Sequence, residues 1–276
     1  QDLITFSEQW QVSVGARFDK QNKEGADNES FLPKFGVLYH PNASATLYAS
    51  YTEGFEPQGS DTLDDPMDIN DGMKLDATTS EQKEVGIKWQ LFDERLMLSG
   101  AIFDISKNGT LVTEQLDIPM GSITTETNQV GEQRHKGFEM AAQGAATDRL
   151  FVMASTMYLD ANFERDEVLE GKRPVDAPKW SASLWTRYEL SDAIAFNAGA
   201  FYEGERFADS ANTITKDAYT RVDVGATYKF IMSNTDINLR LNVENLFDTD
   251  YLGGGGNGTV TVGEGTSVRL AAQFNF

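Results

Sequence analysis

The 276 residues carry 43 acidic and 23 basic side chains, a net charge of -20, which argues against nucleic acid as a partner because neutralising phosphates requires clustered Lys and Arg. Cysteine is absent, which excludes disulfides and thiolate metal sites. No run of about 20 consecutive apolar residues occurs, so a membrane helix is excluded. The mean hydropathy of -0.41 does not exclude a membrane barrel, because a barrel strand needs apolar residues at only every second position.

Short segments in which apolar and polar residues alternate recur along the chain. A period of two places successive side chains on opposite faces of a strand, so one face can meet lipid while the other meets water. The first such segment alternates without exception from Trp10 to Phe18. Clear ladders follow at residues 85–91, 180–190, 194–202, 222–230, 237–243 and 267–276, and weaker ones at 31–40, 44–54, 95–107, 129–144 and 149–163. The pattern predicts an all-β chain of about twelve strands.

The connections between these strands differ in length in a regular way. Turn-forming residues mark short connections at residues 41–43, 92–95, 146–148, 191–192 and 232–236. Long polar stretches alternate with them, at residues 20–30, 56–77, 108–128, 164–176, 208–217 and 249–264. Transmembrane barrels have short periplasmic turns and long external loops, whereas a soluble all-β binding protein has no reason to sort its loops in this way. The alternation therefore favours a transmembrane antiparallel up-and-down β-barrel.

The last strand of the chain ends on an aromatic residue. Val268, Leu270, Phe274 and Phe276 lie on one predicted face of this strand. A terminal strand of this kind is typical of outer-membrane barrels, and we predict that these four residues form the signal read by the barrel-assembly machinery. Because the connections alternate, the strand is expected to descend and to leave Phe276 at the periplasmic rim.

Candidate catalytic and metal-binding groups are sparse. His40 and His135 are the two histidines, and neither stands in a row that matches the strand serines. A serine nucleophile needs a base held beside it, so we predict no enzyme, no cofactor and no metal site. The acidic loop at residues 61–76 offers the oxygen ligands that calcium prefers. It lacks EF-hand spacing, so a solvated loop is the favoured interpretation.

Several motifs together resemble one family. They are Leu47–Gln58, Ser80–Trp89, Phe103–Lys107, Gly131–Glu139 and Asn242–Tyr251, in the order and spacing of the C-terminal barrel of TonB-dependent outer-membrane siderophore receptors. The resemblance covers residues 1–276 and implies a Gram-negative outer membrane with lipid around the barrel. Family members have a 22-stranded barrel and a plug that engages TonB. The chain thus looks like the last twelve strands without the plug, either as a fragment or as a shortened barrel.

The resemblance further implies binding of a ferric siderophore at the outer surface and its energised passage inward through TonB. Aromatic and polar groups on the loops and upper wall suit such a ligand. On the up-and-down assignment, Phe55 and Gln58 lie at the external mouth, Tyr158 and Phe201 lie on the lumen side, and Arg206 could meet an anionic chelate. Two alternatives stay open: a passive porin-like channel of twelve strands, and a receptor for another scarce nutrient such as haem, a vitamin or an oligosaccharide.

Overall fold

The computed structural model describes residues 1–23, 26–58, 60, 62–115, 125–255 and 258–275, and these residues form strands, turns and irregular segments. No helix in the described ranges is long and apolar enough to cross a membrane. The strands are β1 (Asp2–Thr5), β2 (Trp10–Lys23), β3 (Ala26–Asn42), β4 (Ala45–Glu56), β5 (Thr78–Leu91), β6 (Leu96–Gln115), β7 (Thr125–Ala145), β8 (Leu150–Arg165), β9 (Trp180–Glu189), β10 (Ile194–Glu203), β11 (Arg206–Phe207), β12 (Thr215–Lys216), β13 (Tyr219–Met232), β14 (Thr235–Glu244), β15 (Leu252–Gly253), β16 (Thr261–Val262) and β17 (Ser267–Asn275).

Thirteen of these strands form one hydrogen-bonded sheet, in the order β1 to β10, β13, β14 and β17. Each strand pairs with its neighbour along the chain, so the predicted up-and-down order is confirmed. The two remaining pairs, β11 with β12 and β15 with β16, are short ribbons inside long connections. All twelve predicted strands are present, and the thirteenth is β1. That strand was missed because four exposed residues are too short to display a period of two.

The chain divides into two compact units. The first comprises Gln1–Ile87, Ala101–Gly137 and Asp160–Pro174, and the second comprises Lys88–Gly100, Phe138–Leu159 and Val175–Phe276. Several long strands contribute residues to both units.

Short and long connections alternate along most of the sheet, as predicted. Two predicted long connections are wrong in their extent. Most of the connection predicted at residues 20–30 is paired strand, because β2 and β3 continue to the pair Lys23 and Ala26, and residues 24–25 lie outside the described ranges. The connection predicted at residues 108–128 is shortened because β6 runs to Gln115 and β7 begins at Thr125, and residues 116–124 lie outside the described ranges. Polar side chains such as Lys20 and Glu29, 2.7 Å apart, accompany the backbone pairing beyond the apolar part of the strands.

In the first unit, the register places apolar residues opposite one another on a single face. Trp10 pairs with Tyr39, and Phe18 pairs with Phe31. Directly opposite residues share a face of an antiparallel sheet. The rings of Trp10 and Tyr39 lie 4.7 Å apart, and both Phe18 and Phe31 are exposed. The predicted apolar row of β2 is therefore a surface and not a buried core.

The second unit repeats this division into faces. Leu184 of β9 pairs with Ala200 of β10, and Ala200 pairs with Val222 of β13. The side chain of Leu184 is 45% exposed. Residues one position away, such as Ser183, lie on the opposite, polar face. Exposed rows of large apolar side chains are unstable in water but are stabilised by lipid. The structure therefore confirms the predicted alternation.

The final strand continues the apolar face of the second unit. Val268, Leu270 and Phe274 of β17 pair with apolar residues of β14, and the side chain of Leu270 is 74% exposed. Phe276 lies outside the described residues. The recognition of this strand by the barrel-assembly machinery stays a prediction.

The register contradicts the predicted lumen-side placement of Tyr158. This residue lies directly opposite Trp180, which belongs to the apolar row of β9, so both rings are on the apolar face. The two ring centroids are 5.0 Å apart, and Phe138 stacks on Tyr158 at 5.8 Å. The error arose because β8 carries apolar residues on both faces, which leaves its parity undefined in the sequence. The three aromatic rings form a group typical of the membrane interface.

Fluorescence quenching by brominated lipid tests this assignment of faces. In the intact receptor in vesicles, we expect a variant that keeps only Trp180 to be strongly quenched, because its indole faces the acyl chains. A variant that keeps only Trp185, which lies on the opposite face of the same strand, is expected to be quenched little. Stronger quenching of Trp185 than of Trp180 would show that the faces, and the placement of Tyr158, are reversed.

Candidate ligand-binding site

A concave site lies on the polar face of the second unit, at the end of the strands where the long connections lie. Its cavity has a volume of about 340 Å³, within the range of small-molecule pockets. The cavity is lined by Ser155, Pro178, Ser181, Ala182, Ser183, Phe201, Tyr202, Glu203 and Tyr219. Because the strands pair in register, β8, β9, β10 and β13 each contribute a residue to one row, namely Ser155, Ser183, Phe201 and Arg221.

Direct contacts hold the side chains of this row in place. The hydroxyls of Ser155 and Ser183 are 2.8 Å apart. The guanidinium of Arg221 lies 5.0 Å from the ring centroid of Phe201 and pairs with the Asp223 carboxylate at 3.0 Å. A cation above an aromatic face is attracted by the ring quadrupole. The aromatic wall of the cavity is therefore supported from its own sheet before any ligand arrives.

The upper edge of the cavity is formed by Glu203 and Tyr219, which end β10 and begin β13. The Tyr219 hydroxyl donates a hydrogen bond of 2.8 Å to the Glu203 carboxylate. The Tyr219 ring stacks on Tyr251 with centroids 4.4 Å apart. This edge presents an aromatic face and a carboxylate to the same space.

A second cavity of about 290 Å³ adjoins the first along the polar face. It is lined by Ser99, Glu139, Met140, Ala141, Ser155, Thr156, Met157 and Ser181, so Ser155 and Ser181 border both cavities. Hydroxyls donate and accept hydrogen bonds, and methionine side chains adapt to irregular shapes. The two cavities together form a continuous surface for a polar ligand with apolar parts.

A buried ion cluster lies beside the first cavity and consists of Asp176, Arg206 and Lys216. Arg206 of β11 and Lys216 of β12 are directly paired, and their exposed fractions are 1% and 0%. Two buried like charges need a counterion, and the Asp176 carboxylate accepts hydrogen bonds from Arg206 Nε, at 3.2 Å, and from Lys216 Nζ. Glu203 Oε1 lies 3.4 Å from the same Arg206 Nε, which joins the cluster to the cavity edge.

The ion cluster fastens three connections to one another. Asp176 lies in the segment 175–179 before β9, whereas Arg206 and Lys216 lie in the connection 204–218. The connection 245–266 is held through its backbone: Leu252 O accepts a hydrogen bond from Arg206 Nη2 at 2.5 Å, and Gly253 O accepts one from Lys216 Nζ at 3.0 Å. We call these three segments the clamped connections.

The electrostatics of Asp176 follow from these contacts. Burial alone would raise the pKa of its carboxyl, but the hydrogen bond from Lys216, the backbone N–H of Gly255 and the charge of Arg206 outweigh burial and lower the pKa. The carboxylate is therefore held in its ionised form. The N–H of Gly255 donates to Asp176 Oδ2 at 3.1 Å, which adds a further tie to the connection 245–266.

The predicted site residues are only partly brought together. Phe201 lines the first cavity, as its predicted face requires. Tyr158 lies on the other face, and Arg206 is buried against Asp176, so the expectation that Arg206 is free to meet an anionic chelate is wrong. Phe55 and Gln58 belong to the first unit. There Phe55 is half-buried near the end of β4, and Gln58 Nε2 donates to Thr78 Oγ1 at 3.0 Å.

Sequence reasoning missed several residues that shape the site. Glu203 and Tyr219 were detectable, because they sit at strand ends on the parity of Phe201. Asp176 and Lys216 carried no signal, because they lie 40 residues apart in segments without periodicity. Their contact depends on how long connections fold back on one another.

In the first unit, the acidic loop uses a carboxylate as an anchor. Asp68 is 3% exposed and accepts hydrogen bonds from Thr127 Oγ1 at 2.7 Å and from the N–H of Asn70 at 2.8 Å. Among the described residues, no group of three or more His, Asp or Glu side chains is placed to hold a metal ion. Asp61 lies outside the described ranges. The buried carboxylate of Asp68 is thus satisfied by protein donors, and the interpretation of this loop as one without calcium stays a prediction.

Comparison with known proteins assigns the class of the chain. Residues 1–246 match the family model of the TonB-dependent receptor-like β-barrel. The chain therefore belongs to this family of outer-membrane proteins of Gram-negative bacteria.

Individual relatives are receptors. The chain is 29% identical over its whole length to the probable TonB-dependent siderophore receptor PiuA of Acinetobacter baumannii, and 30% identical to the metal-pseudopaline receptor CntO of Pseudomonas aeruginosa. It spans 40% of the length of each of these relatives. The crystal structure of PiuA superimposes on 98% of the chain with a TM-score of 0.82 and 26% identity, and 41% of the PiuA chain is covered. The ferric preacinetobactin receptor BauA of the same species has the same fold, with a TM-score of 0.82 at 19% identity.

Proposed function

We propose that the chain supplies part of the barrel wall and external loops of a receptor that takes up ferric siderophores in a TonB-dependent manner. The observation that carries this proposal is the cavity on the polar face, built from Phe201, Tyr219, Glu203 and serine hydroxyls beside the clamped connections. The relatives, which include a probable siderophore receptor and a metal-pseudopaline receptor, support the same ligand class.

The proposal extends to the whole receptor. The chain matches about 40% of the length of its relatives, and we propose that residues 1–276 act as the C-terminal portion of the barrel. The remaining wall and a plug that contacts TonB would come from other parts of the receptor. Energy for passage would then enter through the plug, while the residues of the cavity bind and orient the chelate.

The two faces of the sheet would contact different partners, lipid on one side and the ferric chelate on the other. The apolar face, with Leu184 and Leu270, would contact outer-membrane lipid, and Val268, Leu270 and Phe274 would be read during barrel assembly. The polar face would hold the ferric chelate, with Phe201 and Tyr219 covering its apolar parts and the serines binding its amide or hydroxyl groups. Such a cavity uses aromatic area for affinity and a few fixed polar groups for orientation.

Binding of ferric chelates to Phe201→Ala tests the proposal. With the intact receptor in detergent and ferric complexes of a trihydroxamate, a tricatecholate and citrate as probes, we expect the tightest-bound complex to lose about tenfold in affinity, since an aromatic contact contributes about 0.5–1.5 kcal/mol beyond its buried area. Phe196→Ala is the matched control, because Phe196 lies on the same strand but on the apolar face. The affinity of this variant for the ferric complexes should equal that of the wild type.

Uptake of radioactive iron in cells with and without TonB completes the test. We expect TonB-dependent accumulation for at least one of the three ferric complexes. If none of them binds and none is taken up, the ferric-siderophore assignment is wrong. Ion conductance of this chain alone in a planar bilayer would instead support the porin-like alternative.

A further inference from the structure

The charged groups that line the two adjoining cavities, which share Ser155 and Ser181, are carboxylates. Glu203 lines the first cavity and Glu139 lines the second, and neither set of lining residues contains a Lys or an Arg. Lys179 is exposed and follows Pro178 in the chain, but it is outside both sets. A ligand that enters either cavity therefore meets negative charge first.

Three cations beside the first cavity are paired with carboxylates. Arg206 and Lys216 are buried and share Asp176, and Arg206 also lies beside Glu203. Arg221 pairs with Asp223 and lies over the ring of Phe201. The three cations of this network pair with the three carboxylates of Asp176, Glu203 and Asp223, so the network has no net positive charge, and Glu139 adds a negative charge in the second cavity.

Desolvating an anion without a counterion is strongly unfavourable, and like charges across an interface suppress binding of the wrong partner. The net charge of -20 over the chain acts in the same direction, although salt screens it beyond about 8–10 Å. A neutral ligand faces neither cost, and the desolvation cost of a cationic ligand is offset by its attraction to the carboxylate of Glu203.

Ferric chelates differ in charge for a simple chemical reason. Three singly charged hydroxamates neutralise the ferric ion, and an additional ammonium group makes the complex positive. Three doubly charged catecholates leave the complex with three negative charges. We infer that these two adjoining cavities select a neutral or positively charged chelate of the hydroxamate type over a tricatecholate. This inference rests on the proposed function, since it specifies the chelate that the receptor binds.

The test measures equilibrium binding of three ferric complexes to the intact receptor: a neutral trihydroxamate, a trihydroxamate with a free amine, and a tricatecholate. We expect both hydroxamates to bind at least tenfold more tightly than the tricatecholate. The ratio of hydroxamate affinity to tricatecholate affinity should fall when the negative charge of the cavity is reduced. In Glu203→Gln, the amine-bearing complex should bind several-fold more weakly, whereas the tricatecholate should bind no more weakly than before.

Glu189→Gln is the matched control, because Glu189 ends β9 on the same polar face but lies outside both sets of lining residues, and its chelate preference should equal that of the wild type. Equal or tighter binding of the tricatecholate by the wild type would overturn the inference while leaving the receptor function intact. An unchanged preference in Glu203→Gln would also overturn it. Failure of all three complexes to bind would contradict the proposed function itself.

Discussion

Asp176→Ala is expected to release the clamped connections and to destabilise the second unit by about 3–5 kcal/mol, the usual cost of leaving a buried charge without its partner. Arg206 and Lys216 are fully buried, and Asp176 bonds both. Hydrogen exchange of the intact receptor should show faster exchange throughout residues 175–179, 204–218 and 245–266, while the strands keep their protection. Asp176→Asn, which keeps the size of the side chain but not its charge, should give the same pattern.

Asp148→Ala provides the control for a lost ion pair. Asp148 bonds Arg95 at a short turn, and both side chains are exposed, so the expected loss is within about 1 kcal/mol. If the clamped connections of the Asp176→Ala variant exchange hydrogen at the same rates as in the wild type, the ion cluster does not hold them in place.

The lowered pKa of Asp176 determines how the hydrogen-exchange protection of the clamped connections changes with pH. A carboxyl with a lowered folded pKa contributes stability that is present above its unfolded pKa and is lost as the pH falls through the folded value. Protection of the clamped connections should therefore persist as the pH falls to about 4, the ordinary pKa of aspartate, and decline only below it.

Leu184→Arg is expected to destabilise the membrane-inserted receptor by about 2–4 kcal/mol. Leu184 lies on the apolar face midway between Trp180 and Tyr188, and its paired neighbours are Ala154 and Ala200. An arginine at this depth exposes a charge to acyl chains, and its alanine neighbours offer no polar partner. Urea-induced unfolding in lipid vesicles measures the loss.

Ser183→Arg is the matched control, since it introduces the same side chain one residue away on the polar face. Its unfolding free energy should stay within about 1 kcal/mol of the wild type, because the guanidinium remains hydrated. Equal destabilisation by the two substitutions would contradict the assignment of lipid and water to opposite faces of β9.

The strands and the faces of their side chains could be predicted from the sequence wherever one face of a strand is purely apolar. The ladders of β2, β9, β10, β13, β14 and β17 were predicted with correct faces, because a period of two directly determines which side chains share a face. The face of β8 was not predictable, since its apolar residues fall on both parities and only the pairing of Tyr158 with Trp180 defines it. The paired extensions of β2 and β3 were missed because polar residues form them.

The candidate site was predictable only in part. Phe201 followed from its parity, and the strand-end position of Glu203 could have been used in the same way. The burial of Arg206 could not be predicted, because its partners Asp176 and Leu252 belong to two other connections that no local pattern joins. A charged residue near a strand end looks the same in sequence whether it faces solvent or a buried counterion.

Two ribbons, β11–β12 and β15–β16, form the bases of the connections 204–218 and 245–266, and both contact the ion cluster from that base. The tip of the first hairpin, at residues 208–214, lies between the two strands of its ribbon. Insertions or deletions at this tip would then change the outer contour of the receptor while the carboxylate, the two cations and the cavity wall keep their positions. Structural variation and ligand recognition are thereby separated within the same surface segments.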